Sequence, residues 1–165
     1  MKRKFKKIRN IIKYYLGIDK YGLLKNSHNN LHISKQVNIA PLNQIKFGEN
    51  IYISKNCSII TSDKGQSKIT IGNYVMIAHN VMIIGGNHNI SRTDIPMMLQ
   101  GEGKQGDIII KDDVWIAAGV IILTGVKIGQ GSVIGAGSVV TKDIPEYSIA
   151  VGNPAKVIKN RKAKS

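Results

Sequence analysis

The chain carries four histidines and one cysteine, and only one of these five side chains sits where its surroundings suggest chemistry. His88 closes the run Gly85-Gly86-Asn87-His88 and opens a stretch, 85–107, that also holds Pro96, Gly101, Gly103 and Gly106. Histidine suits proton abstraction at neutral pH because its ordinary pKa is about 6.5. A base of this kind would strip the proton from a hydroxyl or amine as it attacks an electrophile. His28 and His32 come early and carry no signal. Tetrahedral zinc needs more ligands than the His79 and His88 pair supplies, so no metal site is expected. Cys57 is the one conceivable covalent nucleophile.

The elements that must position His88 are announced by a six-residue period. Ile110, Ile116, Ile122, Ile128, Ile134 and Val140 follow one another at that spacing without a break. Phe47, Ile53, Ile59, Ile71, Ile77 and Ile83 do the same, with Gly65 as the one gap, and Ile33, Ile39 and Ile45 precede them with a two-residue slip. The residue after the apolar position is often small (Gly48, Gly72, Ala78, Ala117, Gly129, Gly135), and the fourth after it is small or β-branched. This period fits neither an α-helix nor a lone amphipathic strand. It predicts an all-β parallel β-helix in which each hexad gives one strand and one corner, and four to five coils of about 18 residues each rise roughly 4.8 Å apiece.

Cys57 takes the filler position of its hexad, which argues against a nucleophile. His79, third in its hexad, is expected to project from a flat face. The 27 residues from Ile83 to Ile110 break the phase, so 85–107 must loop out, and an insertion in a solenoid commonly sits on its functional face. The predicted organisation is a basic helix and connection over 1–32, the β-helix over 33–152, and a basic tail over 153–165.

Charge is concentrated at the ends. The net charge is +14, yet residues 26–155 hold ten basic against nine acidic side chains. Such a body lacks the basic stripe of a nucleic-acid binder. Phe5, Ile8, Ile12, Tyr15 and Leu16 mark an amphipathic helix over 2–16, with Gly17 as its stop, and peripheral membrane contact through it is an expectation. No apolar run spans a bilayer, no secretory signal is evident, and the lone cysteine suits a reducing compartment, so a cytoplasmic protein is expected.

The run Ile128-Gly129-Gln130-Gly131-Ser132-Val133-Ile134-Gly135-Ala136-Gly137-Ser138-Val139-Val140-Thr141-Lys142-Asp143-Ile144-Pro145 resembles the last coil of the hexapeptide-repeat acetyltransferases. Val151-Gly152-Asn153-Pro154-Ala155-Lys156-Val157-Ile158, Asp113-Val114-Trp115-Ile116 and Gly86-Asn87-His88 resemble that family's closing segment, its Val-Trp-Ile element and the place of its catalytic histidine. Within the family the likeness is to sugar O-acetyltransferases of the maltose and galactoside type and to those that decorate capsular and lipopolysaccharide glycans. It implies a left-handed β-helix, a homotrimer, acetyl-CoA as donor, and direct transfer to a sugar hydroxyl in surface-glycan assembly with His88 as base. It also implies donor contacts at Trp115, Ala118, Ala136, Thr141, Lys142 and Lys156, and acceptor contacts at Asp63 and Asn87. Many relatives have Gly-Ser where this chain has Ala117-Ala118, so an oxyanion donor here would have to be backbone N–H. N-acetylation of an amino sugar nucleotide is the alternative. A non-enzymatic binding solenoid is the third reading, disfavoured because Thr61, Thr70, Thr93, Thr124 and Thr141 form no six-residue ladder.

Overall fold

A computed structural model describes residues 2–15, 20–62 and 66–162. Helix α1 (Lys2–Tyr15) leads to a short α2 (Gly22–Ser27), where the sequence suggested only a connection. Leu16 and Gly17 lie outside the described residues. Tyr21, just before α2, is buried; its hydroxyl donates to Val37 O (3.2 Å) and accepts from Ile39 N–H (2.7 Å), which ties the helices to the first coil.

The hexads then wind into stacked coils. The first coil holds β1 (His32–Ile33), β2 (Asn38–Ala40) and β3 (Ile45–Phe47), and the second β4 (Tyr52–Ile53), β5 (Ser58–Ile60) and β6 (Ile69–Ile71). The third holds β7 (Met76–Ile77), β8 (Met82–Ile84) and β9 (Ile108–Ile110), and the fourth β10 (Trp115–Ile116), β11 (Ile121–Ile122) and β12 (Lys127–Ile128). The fifth contributes β13 (Val133–Ile134) and β14 (Val139–Val140), then a parallel bridge of Ile144 to Ile128. A final β15 (Ser148–Val151) adds to the first face, so the stack exceeds the four to five coils counted from sequence. The segment read as a basic tail continues as β16 (Lys156–Asn160), antiparallel to β15.

Each strand pairs with the strand one coil on, giving three parallel sheets. Sheet A runs β1-β4-β7-β10-β13-β15-β16, sheet B β2-β5-β8-β11-β14, and sheet C β3-β6-β9-β12. The molecule is a left-handed parallel β-helix. The sixth-position residues fill the prism: Ile53, Ile59, Ile77, Ile83, Ile116, Ile122, Ile128, Ile134 and Val140 are wholly buried.

The corners explain the other positions of the hexad. The third residue after the buried one takes a left-handed backbone, as at Asn56 (φ 59°), Asn80 (φ 60°), Gly119 (φ 69°) and Gly137 (φ 69°). Asparagine and glycine tolerate this region better than other residues, which is why they recur there. Glycine directly after the buried residue answers a different need. A Cβ on Gly72 would lie 2.8 Å from Asp112 N and 2.8 Å from the Lys111 carbonyl carbon, because successive coils touch there.

All the departures from an 18-residue coil fall on one edge, between sheets B and C. A 3-10 turn at Leu42–Gln44 absorbs the two-residue slip. Gly65 lies outside the described residues, but β5 and β6 flank it, and since Ile59 and Ile71 are two hexads apart the phase survives. The long insertion joins β8 to β9 on the same edge.

Candidate active site

His88 is mounted on the root of that insertion. Gly103 N–H donates to Asn87 O (2.9 Å) and Asn89 N–H to Gly101 O (3.1 Å), on either side of an antiparallel bridge between His88 and Glu102. In a directly opposed pair the two side chains leave the ribbon on the same face, so Glu102 stands beside His88. Asn87 Oδ1 accepts from the His88 N–H (2.8 Å), and Gln105 Nε2 donates to Glu102 Oε2 (3.1 Å). Among the described residues no group hydrogen-bonds the exposed imidazole, leaving it open to an incoming molecule.

Two buried or half-buried hydroxyls hold the root in place. Thr124, on the next coil, accepts from Gly86 N–H (3.2 Å) and donates to Gly106 O (3.0 Å), bridging the two ends of the insertion. Ser67, fully buried, accepts from Gly106 N–H (3.1 Å) and donates to Gln105 Oε1 (2.9 Å). Gly85 has to be glycine because a Cβ would meet Thr61 Oγ1 at 2.6 Å. Farther out, Gln100 Nε2 donates to Arg92 O (2.7 Å) and Ile95 O (3.1 Å). Arg92 Nε donates to Asp94 Oδ1 (2.9 Å), and the guanidinium holds that carboxyl below the usual range. Thr61, Ser62, Ile84, Gly85, Gly86, Asn87, His88 and Glu102 enclose a cleft of about 470 Å³. Asp63, expected to meet an acceptor, lies outside the described residues.

Of the residues expected on the donor side, the two alanines fall on a different edge. Ala118 and Ala136 occupy successive corners between sheets A and B, where Gly119 N–H donates to His79 O (3.0 Å) and Gly137 N–H to Ala118 O (2.9 Å). The N–H groups of Ala118 and Ala136 themselves donate to no described residue, forming a column of free donors. Lys156 begins β16 at the foot of this column, just after the turn in which Gly152 N–H donates to Ser138 Oγ (3.0 Å). Thr141 and Lys142 are exposed and follow β14, on the edge that carries His88. One chain therefore separates His88 from the alanine column by the width of sheet B, roughly 10 Å for a strand of three residues.

The remaining candidate residues are spread over other parts of the prism. Trp115, expected as a donor contact, lies in β10, 48 % exposed on the outer face of sheet A, in register with Met76 and Val133. His79 is not on a flat face; it sits at the corner above Ala118, where β7 turns into β8. Cys57 is buried, its Sγ donates to Ala78 O (3.0 Å), and burial pushes its pKa up, the opposite of an activated thiolate. Among the described residues no three His, Cys, Asp or Glu side chains gather as for a metal ion. A larger cleft, about 630 Å³ between Lys111, Lys127, Asp143 and Glu146, contains none of the expected site residues. Ser67 and Thr124 were not foreseen because their partners lie far away in sequence, and Glu102 because its pairing with His88 appears only when the insertion folds back on itself.

Comparison with known proteins settles the kinship. The family described as Bacterial transferase hexapeptide (six repeats) matches residues 107–142. The galactoside O-acetyltransferase of Lactococcus lactis is 40 % identical over 113 residues, 68 % of this chain and 51 % of that protein. A solved galactoside acetyltransferase in complex with coenzyme A superposes with a TM-score of 0.75 at 30 % identity, covering 97 % of this chain and 82 % of that one. The chain belongs to the hexapeptide-repeat transferases. A maltose O-acetyltransferase from Clostridium difficile, 38 % identical over 80 % of this chain and 70 % of its own, superposes with a TM-score of 0.55. The chain spans about half the length of the curated relatives it matches first, from 51 % to 55 %.

Proposed function

We propose that this hexapeptide-repeat protein is an acetyl-CoA-dependent O-acetyltransferase acting on a sugar hydroxyl, with His88 as general base. The observation that carries the reading is the mounting of His88: an open imidazole, fixed on a ribbon pinned by Thr124 and Ser67, facing a cleft. His88 takes the acceptor's hydroxyl proton as the oxygen attacks the thioester carbonyl carbon. A free N–H of the Ala118–Ala136 column meets the developing oxyanion, replacing the hydroxyl that many relatives offer at position 118. The carbon–sulfur bond then breaks, and His88 returns the proton to the departing thiolate. Lys142 and Lys156 are assigned to the donor's phosphates, Trp115 to a wall of the donor site, Thr141 to a donor contact, and Asn87 with Asp63 to the acceptor. The likeness to galactoside and maltose enzymes supports a sugar acceptor, which we assign to surface polysaccharide assembly in the cytoplasm.

Because sheet B separates His88 from the alanine column, the complete site needs a second copy whose sheet A–B corner meets this chain's insertion. A homotrimer closes such contacts cyclically. Exposed Tyr52, Met76 and Trp115, aligned across sheet A, offer an apolar face for assembly.

The test is release of CoA on a panel of sugars bearing free hydroxyls or free amines. Hydroxyl acceptors should react, and replacing His88 with Ala should lower turnover by roughly 10²–10⁴ while donor affinity holds. Turnover only on amines would replace this reading with N-acetylation. A fully active monomer by light scattering would remove the shared site.

A further inference from the structure

Helix α1 lies on the protein with its apolar side outward. Phe5 is 66 % exposed, Ile8 47 %, Ile11 38 % and Ile12 52 %, while Asn10 is buried. At about 100° per residue the four apolar side chains fill an arc of roughly 120°, and Asn10 is on the opposite side. A surface helix of a soluble fold normally does the reverse, turning its apolar stripe to the core. Here Asn10 rests against the protein and the apolar stripe is left without cover. Exposed Arg9 and Lys7 stand at the two margins of that arc.

We propose that α1 holds this protein on an anionic lipid surface, with Phe5, Ile8, Ile11 and Ile12 seated among the acyl chains and flanking basic side chains meeting the headgroups. The charge selects this occupant. Seven basic residues (Lys2, Arg3, Lys4, Lys6, Lys7, Arg9, Lys13) precede the first acidic one, Asp19, whereas residues 26–155 are nearly neutral. A second copy would bring an equally basic helix against the first and repel it, and a neutral apolar partner would leave these charges unused. A lipid surface that is both apolar and negative meets the stripe and the basic residues at its margins. The helix is about 21 Å long at 1.5 Å per residue, and none of the described helices is long and apolar enough to cross a membrane, so α1 lies in the plane of the surface. The inference does not depend on the reaction assigned above.

The experiment is co-sedimentation of the full chain with phosphatidylglycerol-containing vesicles and with pure phosphatidylcholine vesicles. Binding is expected only to the former and should weaken as salt is raised. Replacing Phe5 and Ile12 together with Ser should lower the partition at least tenfold, and Lys7→Gln about fivefold. Both variants should melt like the wild type, since all three side chains are exposed, and both should acetylate a free sugar unchanged. Equal binding to the two vesicle types, or an unaffected Phe5→Ser/Ile12→Ser variant, overturns the proposal. So does a fall in oligomer mass in that variant without lipid, because the stripe would then be covering a second copy.

Discussion

Removing a single methyl-sized polar atom at Thr124 should unfasten the loop that carries His88 without touching the imidazole. Thr124→Val keeps the shape but deletes the hydroxyl that receives Gly86 N–H (3.2 Å) and donates to Gly106 O (3.0 Å). Two backbone groups lose a partner in a half-buried corner that water reaches in part, so the cost should sit near the low end of the 1–3 kcal/mol range for such losses, about 1 kcal/mol. For a chain of this size that is a fall in Tm of about 2–4 °C. The larger effect should be on turnover. Gly86 is two residues from His88, and a displacement of about 1 Å in a reacting group costs on the order of 10²-fold, so we expect kcat to fall between tenfold and a hundredfold. Donor affinity should change less than turnover, because the alanine column lies on another edge and only Thr141 and Lys142 share this one. Thr124→Ser restores the hydroxyl and should restore most of kcat. Stopped-flow CoA release and isothermal titration with CoA separate the two quantities. Wild-type turnover in the Val variant, or no rescue by Ser, would show that the bridge does not position His88.

His79→Ala should keep most of the wild-type kcat/KM, in contrast to His88→Ala. Glu102→Gln should lower kcat by a smaller factor than His88→Ala, while a purely structural role would move only Tm; steady-state kinetics beside thermal melts separate the two. Cys57 should resist thiol reagents until the protein unfolds. Because burial raises its folded-state pKa, its stabilising contribution is complete below the ordinary thiol value of about 8.5 and is lost as the pH rises towards the raised value; denaturant midpoints across alkaline pH check this. Gly72→Ala should lower stability by roughly 1–3 kcal/mol, since the added methyl meets backbone of the next coil.

The six-residue spacing made the buried column legible, and Ile53 through Val140 occupy it as read. Many of the left-handed corners are also written in the chain, as Asn50, Asn56, Asn80, Gly119, Gly125, Gly131 and Gly137, whereas Gln36, Tyr74 and Asp113 take the same backbone without such a signal. Helix α2 escaped because Gly22–Ser27 is shorter than two helical turns and shows no period. Strand β16 escaped because every residue in Lys156–Asn160 is exposed, so no alternation marks it. At the site, a glycine-flanked histidine opening an insertion was visible locally. Thr124 lies 38 residues from Gly86, and Ser67 lies 38 from Gln105. Such contacts exist only once the coils stack, and no local pattern encodes them.

Confining every irregular connection to one edge has a consequence for how such a molecule can change. A segment added at 41–44, 61–68 or 85–107 leaves the pairings of neighbouring strands as they were, for example Met82 with Ile121 and Met76 with Trp115 on either side of the long insertion. That edge behaves like a socket with three slots, one above another. Exchanging the 85–107 segment between relatives, with Gly86, Gly106 and Thr124 kept as the fastening, should transplant acceptor preference while the prism and its donor column stay as they are.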